Sequence, residues 1–298
     1  MSARVWLWLL TLSVLWGGSF FFAKIAVGEL PPLTLVLGRV GLAALVLNAI
    51  LGPRRLTNRC APWRSFVVMG ALNNALPFAL IFWGQTRIAS GLAAILNATT
   101  PLFTILVAHL ATSDEKLSAN KIVALATGLA GVALLVGPDA LSHATSGLWG
   151  QAACLGAALS YAIAGVYGRR FRSMGIAPME AVAGQLTAAS LLILPIMLVV
   201  DRPWLHVPSA GGEVWSALAG LALLSTALAY VLYFRILAAS GATNLLLVTF
   251  LIPVTAIVLG AAFLGERLEP RHFSGMTLIG AGLAIIDGRL ARLLRRAK

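Results

Sequence analysis

The sequence predicts an all-α polytopic membrane protein, with ten transmembrane helices arranged as two inverted five-helix repeats. Three observations predict it. Hydrophobic residues fill 59% of the 298 positions and charged residues 11%, with a mean hydropathy of +0.92, whereas soluble domains are about a quarter charged. Apolar stretches of roughly 20 residues, long enough to cross a bilayer as helices that satisfy their own backbone groups, recur ten times with short connections between them. The second half of the chain echoes the first.

The first stretch, 5–26, contains LWGGSFFFAK from Leu15 to Lys24. Its apolar run exceeds the 7 to 15 residues usual for a cleaved leader, so it is read as a transmembrane helix. Gly17, Gly18 and Ser19 let neighbouring backbones approach closely. Trp16 and Phe20, four residues apart, share one helix face. Trp16 lies roughly 18 Å along the helix from Arg4, past the interfacial belt, which favours a cavity wall over an interfacial anchor. The second stretch, 33–51, follows Pro31 and Pro32 and carries Gly38 and Arg39. Arg39 has two readings, snorkelling outward or attracting an anionic group.

Spans 3 (65–84) and 4 (89–110) hold Asn73, Asn74, Pro77 and Phe78, then SGLAAILNATTP with Asn97, Thr99, Thr100 and Pro101. Span 5 (119–137) follows EKL at Glu115 to Leu117. Span 6 (147–167) carries Ser160 and Tyr161, span 7 (179–200) Gln185 and Pro195, and span 8 (214–234) Thr226 and Tyr230. Span 9 (241–264) holds Asn244, Thr249 and Pro253, and span 10 (272–288) precedes the basic tail RLARLLRRAK.

The net charge of +12 is a topology signal rather than a nucleic-acid surface. One set of ends holds Arg4, Arg54, Arg55, Arg59, Arg64, Lys116, Lys121, Arg169, Arg170, Arg172, Arg235 and the basic tail; the other holds only Lys24, Arg87, Arg202, Arg267 and Arg271. By the positive-inside rule both termini are cytoplasmic, in a cell inner (plasma) membrane protein. Cys60 and Cys154 stand too far apart in this topology to suggest a bridge.

Internal matches divide the chain into a first repeat, 1–140 with helices 1–5, and a second, 141–298 with helices 6–10 and the tail. Ser90, Gly91 and Pro101 return as Ser240, Gly241 and Pro253, and EKL returns as ERL at Glu266 to Leu268. Pro32 and Gly38-Arg39 match Pro178 and Gly184-Gln185, Gly70 matches Gly220, and Trp16 and Lys24 match Tyr161 and Arg169. Five spans per repeat is an odd number, so the second copy must enter the membrane from the opposite face. Such inverted repeats are a common design for secondary transporters, with the substrate near the midplane at the repeat interface.

The WGGSF of helix 1, Gly38-Arg39 of helix 2, SGLAAILNATTP with its counterpart ASGATNLLLVTFLIP, and the paired EKL and ERL together resemble the drug/metabolite transporter superfamily, EamA type. Within it the sequence resembles the YddG-like amino-acid exporters. The resemblance implies export of amino acids or similar small metabolites. Tyr161 and Gln185 stand where the first repeat has Trp16 and Arg39, so the halves are not chemically equivalent.

Amides and hydroxyls scattered through the spans suit a zwitterion, which needs donors for a carboxylate and acceptors for an ammonium. The substrate-binding residues expected are therefore Trp16, Phe20, Asn73, Phe78, Asn97, Tyr161 and Tyr230, with Pro101 and Pro253 as hinges. No aspartate or glutamate lies mid-span, and an intramembrane acid is the common proton relay. Downhill uniport or exchange is expected, with a proton-coupled antiporter as the alternative. A channel lacks visible charge rings or filter loops. An intramembrane enzyme would need converging catalytic groups, yet His109, His143, His206 and His272 fall at helix ends or in loops. No catalytic residues, metal or cofactor are expected, and the partners expected are a small-molecule substrate and membrane lipid, with no nucleic acid. Ten helices can enclose a site in a monomer; the sequence sets no oligomeric state.

Overall fold

The computed structural model describes residues 2–52, 62–113, 116–136, 146–245 and 247–287. Arg54, Arg55, Arg59, Cys60, Glu115, Asp139, His143 and the basic tail lie outside the described residues.

Over the described residues a helix covers most of every expected span. In chain order the helices are α1 (Ala3–Ala26), α2 (Pro32–Leu51), α3 (Trp63–Gln85), α4 (Ser90–Ala111), α5 (Ala119–Val136), α6 (Ser146–Gly168), α7 (Pro178–Val200), α8 (Gly212–Gly241), α9, whose body is Val248–Leu264, and α10 (Pro270–Asp287). Seven of the helical columns are long and apolar enough by themselves to cross a membrane, and Ala119–Leu135 and Val248–Leu264 are shorter apolar helices. The junction of α8 and α9 is set by Gly241, whose φ of +76° lies in the left-handed region that favours glycine. A short helical turn then runs to Leu245 before the body of α9 begins.

α4 is likewise divided, into Ser90–Asn97 and Thr100–Ala111. Pro101 has no N–H to continue the ladder, and it sits in the first turn of the new segment, where a missing N–H costs least. Pro253, in contrast, sits inside an unbroken helix. The two prolines that match in sequence thus occupy different helical positions, one opening a segment and one interior to it.

Large apolar side chains cover the outside of the bundle, among them Leu45, Leu110, Val199 and Phe263, each more than two-thirds exposed. Water-soluble monomers rarely expose such contiguous surface; hydrocarbon is its natural solvent.

The principal helix pairings obey a two-fold exchange. α1 packs on α9 as α6 packs on α4, α3 on α6 as α8 on α1, and α2 on α8 as α7 on α3. α2 with α7, α4 with α9, and α5 with α10 pair across the exchange itself. Replacing each helix by the one five places along returns the same set. Side chains obey the rule too. The matched glycines Gly38 and Gly184 each leave room for one bulky residue of the other repeat: an added Cβ would stand 2.8 Å from Leu218 of α8 in the first case and 2.8 Å from Phe66 of α3 in the second.

α3 and α8, equivalent under this exchange, share one further irregularity. Each passes through a π-helical segment, Ala71–Ala75 in α3 and Gly220–Leu228 in α8. Such segments widen the helix and re-aim side chains, and they are frequent at functional sites.

At one end of the bundle, acidic residues from three connections reach other helices. Glu266, between α9 and α10, accepts from Ser90 N (2.8 Å), Ser90 Oγ (2.7 Å) and Gly91 N (3.3 Å) at the start of α4. Asp201 takes Thr34 N at 2.6 Å in the first turn of α2, and Glu29 takes Gly211 N at 2.6 Å beside α8. Carboxylates are favoured at helix N-termini, where backbone N–H groups lack partners. Lys24 binds the same end together through the carbonyls of Gln85 (2.7 Å) and Ile88 (2.9 Å).

Candidate functional site

The two π-helical segments face a cluster contributed by α2, α3, α6, α7 and α8. Arg39 of α2 is at its centre and is only 6% exposed, so it does not snorkel. Its Nε donates to Thr226 Oγ1 at 3.0 Å, a bond from α2 to the π segment of α8. Its guanidinium carbon lies 3.8 Å over the ring of Phe78 and 5.8 Å from that of Phe82, two residues of α3 whose rings stack. A cation over an aromatic face gains about 0.5–2 kcal/mol, most when desolvated. Tyr161 meets Phe78 edge-on with ring centres 6.4 Å apart.

Asn73, within the π turn of α3, completes the cluster. Its amide donates to Gln185 Oε1 of α7 at 3.3 Å and to Tyr230 Oη of α8 at 3.4 Å. Both bonds are longer than the usual N–H···O range, and weak partners are easily exchanged for those of a ligand. Asn73, Tyr161 and Tyr230 are half-buried, whereas Arg39, Phe78 and Gln185 are buried.

Of the residues selected from sequence, Asn73, Phe78, Tyr161 and Tyr230 are thus brought together. Trp16 reaches the cluster only through a chain of three ring contacts. Its ring meets Tyr233 with centres 5.6 Å apart, Tyr233 meets Phe234 at 5.1 Å, and Phe234 stacks on Tyr230 at 6.5 Å. Trp16 joins a small cluster with residues of α8 and α9, while Phe20 is buried in the main core. The shared helix face of these two residues therefore does not become one shared cluster. The Phe20 carbonyl accepts from the Gln85 amide at 2.8 Å, tying α1 to the end of α3. Asn97 ends the first segment of α4, and its Oδ1 is buried without a hydrogen-bond partner among the described residues.

A separate cleft of about 180 Å³ opens between α4, α9 and α10, lined by Ile95, Phe250, Pro253, Met276 and their neighbours. Its lining is almost wholly apolar, and none of the residues around Arg39 contributes to it. It offers a ligand shape without polar anchors. The arrangement around Arg39 supplies one fixed cation, two phenols, two amides and an aromatic wall, which is chemistry for recognition rather than for bond making. Arg39, Gln185 and Thr226 join the cluster without being among the expected substrate-binding residues; the sequence marks all three as polar groups inside spans, Arg39 as the one cation.

The EamA-like transporter family matches the chain twice, over residues 4–137 and 148–287. The chain is 27% identical over 285 residues to "Uncharacterized transporter YoaV" of Bacillus subtilis (strain 168), covering 94% of this chain and 95% of that protein. It is 24% identical over 302 residues to the "Probable terminal-alkyne amino-acid exporter" of Streptantibioticus cattleyicolor, covering 100% and 97%. A solved crystal structure superposes with a TM-score of 0.66 over 99% of both chains at 22% identity, a likeness of fold.

Proposed function

The chain belongs to the EamA-like transporter family, and from that premise we propose that it is a secondary transporter exporting amino acids or similar small metabolites by alternating access. The observation that carries this reading is the polar and aromatic cluster around Arg39, set where helices of both halves meet under a two-fold exchange. In that reading residues 1–140 and 141–298 are two units of opposite membrane orientation, which rock about a site at their interface. Trp16, Asn73, Phe78, Tyr161 and Tyr230 contact the substrate, with Phe20 and Asn97 lining its route. The α4 break at Pro101 and the interior Pro253 of α9 are the hinges. Amino acids are the favoured cargo because the protein fits the sequence pattern of such exporters and a relative over its full length is named as one.

Counterflow in proteoliposomes tests this. Vesicles preloaded with unlabelled L-phenylalanine or L-leucine are expected to accumulate the labelled form transiently, without an imposed pH gradient. Trp16→Ala, matched for folded protein, is expected to lose phenylalanine exchange by roughly tenfold or more while leucine exchange changes less, since an aromatic wall supplies contact area. Steady conductance without counterflow would make the protein a channel, and accumulation only on a proton gradient would make it an antiporter.

The same reading places both termini in the cytoplasm of a cell bounded by the inner membrane. The excess of Lys and Arg on the terminal side supports it. A cysteine at Ser209, in the connection before α8, is expected to react with an impermeant maleimide added outside intact spheroplasts. Reaction only after lysis would reverse the orientation.

A further inference from the structure

We propose that Arg39 is the anchor for a carboxylate on the transported molecule, so that the protein selects small organic anions and zwitterions over cations and uncharged analogues. This rests on the transporter reading and specifies the cargo of the same site.

Arg39 is an unmatched charge. Arg39 is 94% buried by its 6% exposure, and an arginine in a protein keeps its proton. Burying a lone cation is strongly unfavourable, and buried charges are normally paired. Among the described residues no carboxylate pairs with Arg39: its partners are the Thr226 hydroxyl and the aromatic faces of Phe78 and Phe82. The sequence places no acid in the middle of any span, so the chain itself has little with which to neutralise it. The deficit is one negative charge. A substrate that carries it removes the penalty on entering and restores it on leaving, which favours binding without making release impossible.

Geometry narrows the class of anion. Thr226 occupies Nε and Phe78 covers one face of the guanidinium. The two terminal nitrogens carry no hydrogen bond among the described residues. That leaves the flat, two-pronged edge that matches a carboxylate through paired N–H···O bonds. Tyr161, edge-on to the Phe78 ring under the guanidinium, and Tyr230, whose Oη accepts from Asn73, are both half-buried and add two phenols to the same cluster. The surroundings beyond are aromatic, so the rest of the ligand is apolar. A dianion such as a phosphate ester would bring a second charge for which this site has no second cation.

The test separates the carboxylate from the amino group. Purified protein is melted in detergent with L-phenylalanine, L-phenylalaninamide, 3-phenylpropionate or phenethylamine, and each is also used to compete against labelled L-phenylalanine and 3-phenylpropionate in counterflow. The two carboxylates are expected to stabilise the protein and to compete at least about tenfold better than the two compounds lacking a carboxylate, the scale of one charge-assisted hydrogen-bonded contact. Arg39→Gln is expected to abolish that preference, and Arg39→Lys to keep a reduced one. Thr226→Val leaves the charge in place but frees the guanidinium, and is expected to weaken carboxylates by a smaller factor. If 3-phenylpropionate binds and phenylalanine does not, the anion anchor holds while the amino-acid reading fails. If the amide and amine bind as well as the acids, if no carboxylate stabilises the protein, or if folded Arg39→Gln retains the acid preference, the proposal is overturned.

Discussion

Gly17→Ala is expected to destabilise the purified protein measurably, although it adds a single methyl group to an apolar helix. A Cβ at Gly17 would meet the Thr255 side chain and stand 3.0 Å from the backbone nitrogen of Ala256, so α1 and α9 could no longer keep their separation. The contact also carries a polar bond. Thr255 Oγ1 donates to the Ser13 carbonyl of α1 at 2.8 Å while remaining near the carbonyls of Leu251 and Ile252 in its own helix. Overpacking of a tight interface costs about 1–3 kcal/mol, and losing an interhelical hydrogen bond adds about 1 kcal/mol. The measurement is the thermal midpoint of matched detergent-purified samples. Thr255→Gly combined with Gly17→Ala is expected to recover part of the loss, because the methyl group then occupies space that the threonine vacated. A midpoint unchanged in Gly17→Ala would mean that the helices do not approach as closely as described.

The two aromatic residues flanking this interface show why part of the protein was legible from sequence and part was not. Membrane helices announce themselves through the absence of charge, and over the described residues a helix covers most of each expected span. The matched glycines Gly38 and Gly184 were legible as sites of close approach, because such sites tolerate little else. Trp16 and Phe20, however, share a helix face without sharing a cluster, since several helices abut α1 and periodicity reports the face but not the neighbour. The π-helical segments at Ala71–Ala75 and Gly220–Leu228 left no mark either. One extra residue per turn shifts the register of everything after it, and a uniformly apolar helix has too little amphipathic contrast to record the shift. Arg39 had two sequence readings because depth along a helix does not say which way a long side chain points. Its bond to Thr226 settles the direction, inward across the repeat interface.

Glu266→Gln is expected to loosen the tie between the α9–α10 connection and the start of α4. Glu266 lies just before α10, but the helix whose N-terminus it serves is α4, 175 or more residues away in the chain. Both carboxylate oxygens are used, one by Ser90 N and the other by Ser90 Oγ and Gly91 N. Glutamine keeps the size and one acceptor, yet its NH₂ group would face backbone donors, so at least one N–H at the start of α4 loses its partner along with the favourable charge at a helix N-terminus. Hydrogen bonds to a charged acceptor are each worth about 1.5–3 kcal/mol. Forfeiting one shifts a closed-to-open equilibrium by roughly tenfold to a hundredfold. Ile88, 7% exposed in the adjoining connection and bonded through its carbonyl to Lys24, offers a reporter position. In a background with Cys60→Ser and Cys154→Ala, Ile88→Cys is expected to react slowly with maleimide when Glu266 is present and about tenfold faster or more when it is glutamine. Glu213→Gln, a change in the exposed first turn of α8, should leave that rate unaltered. Equal labelling with and without the Glu266 carboxylate would show that this end is held shut by apolar packing and the Lys24 contacts alone.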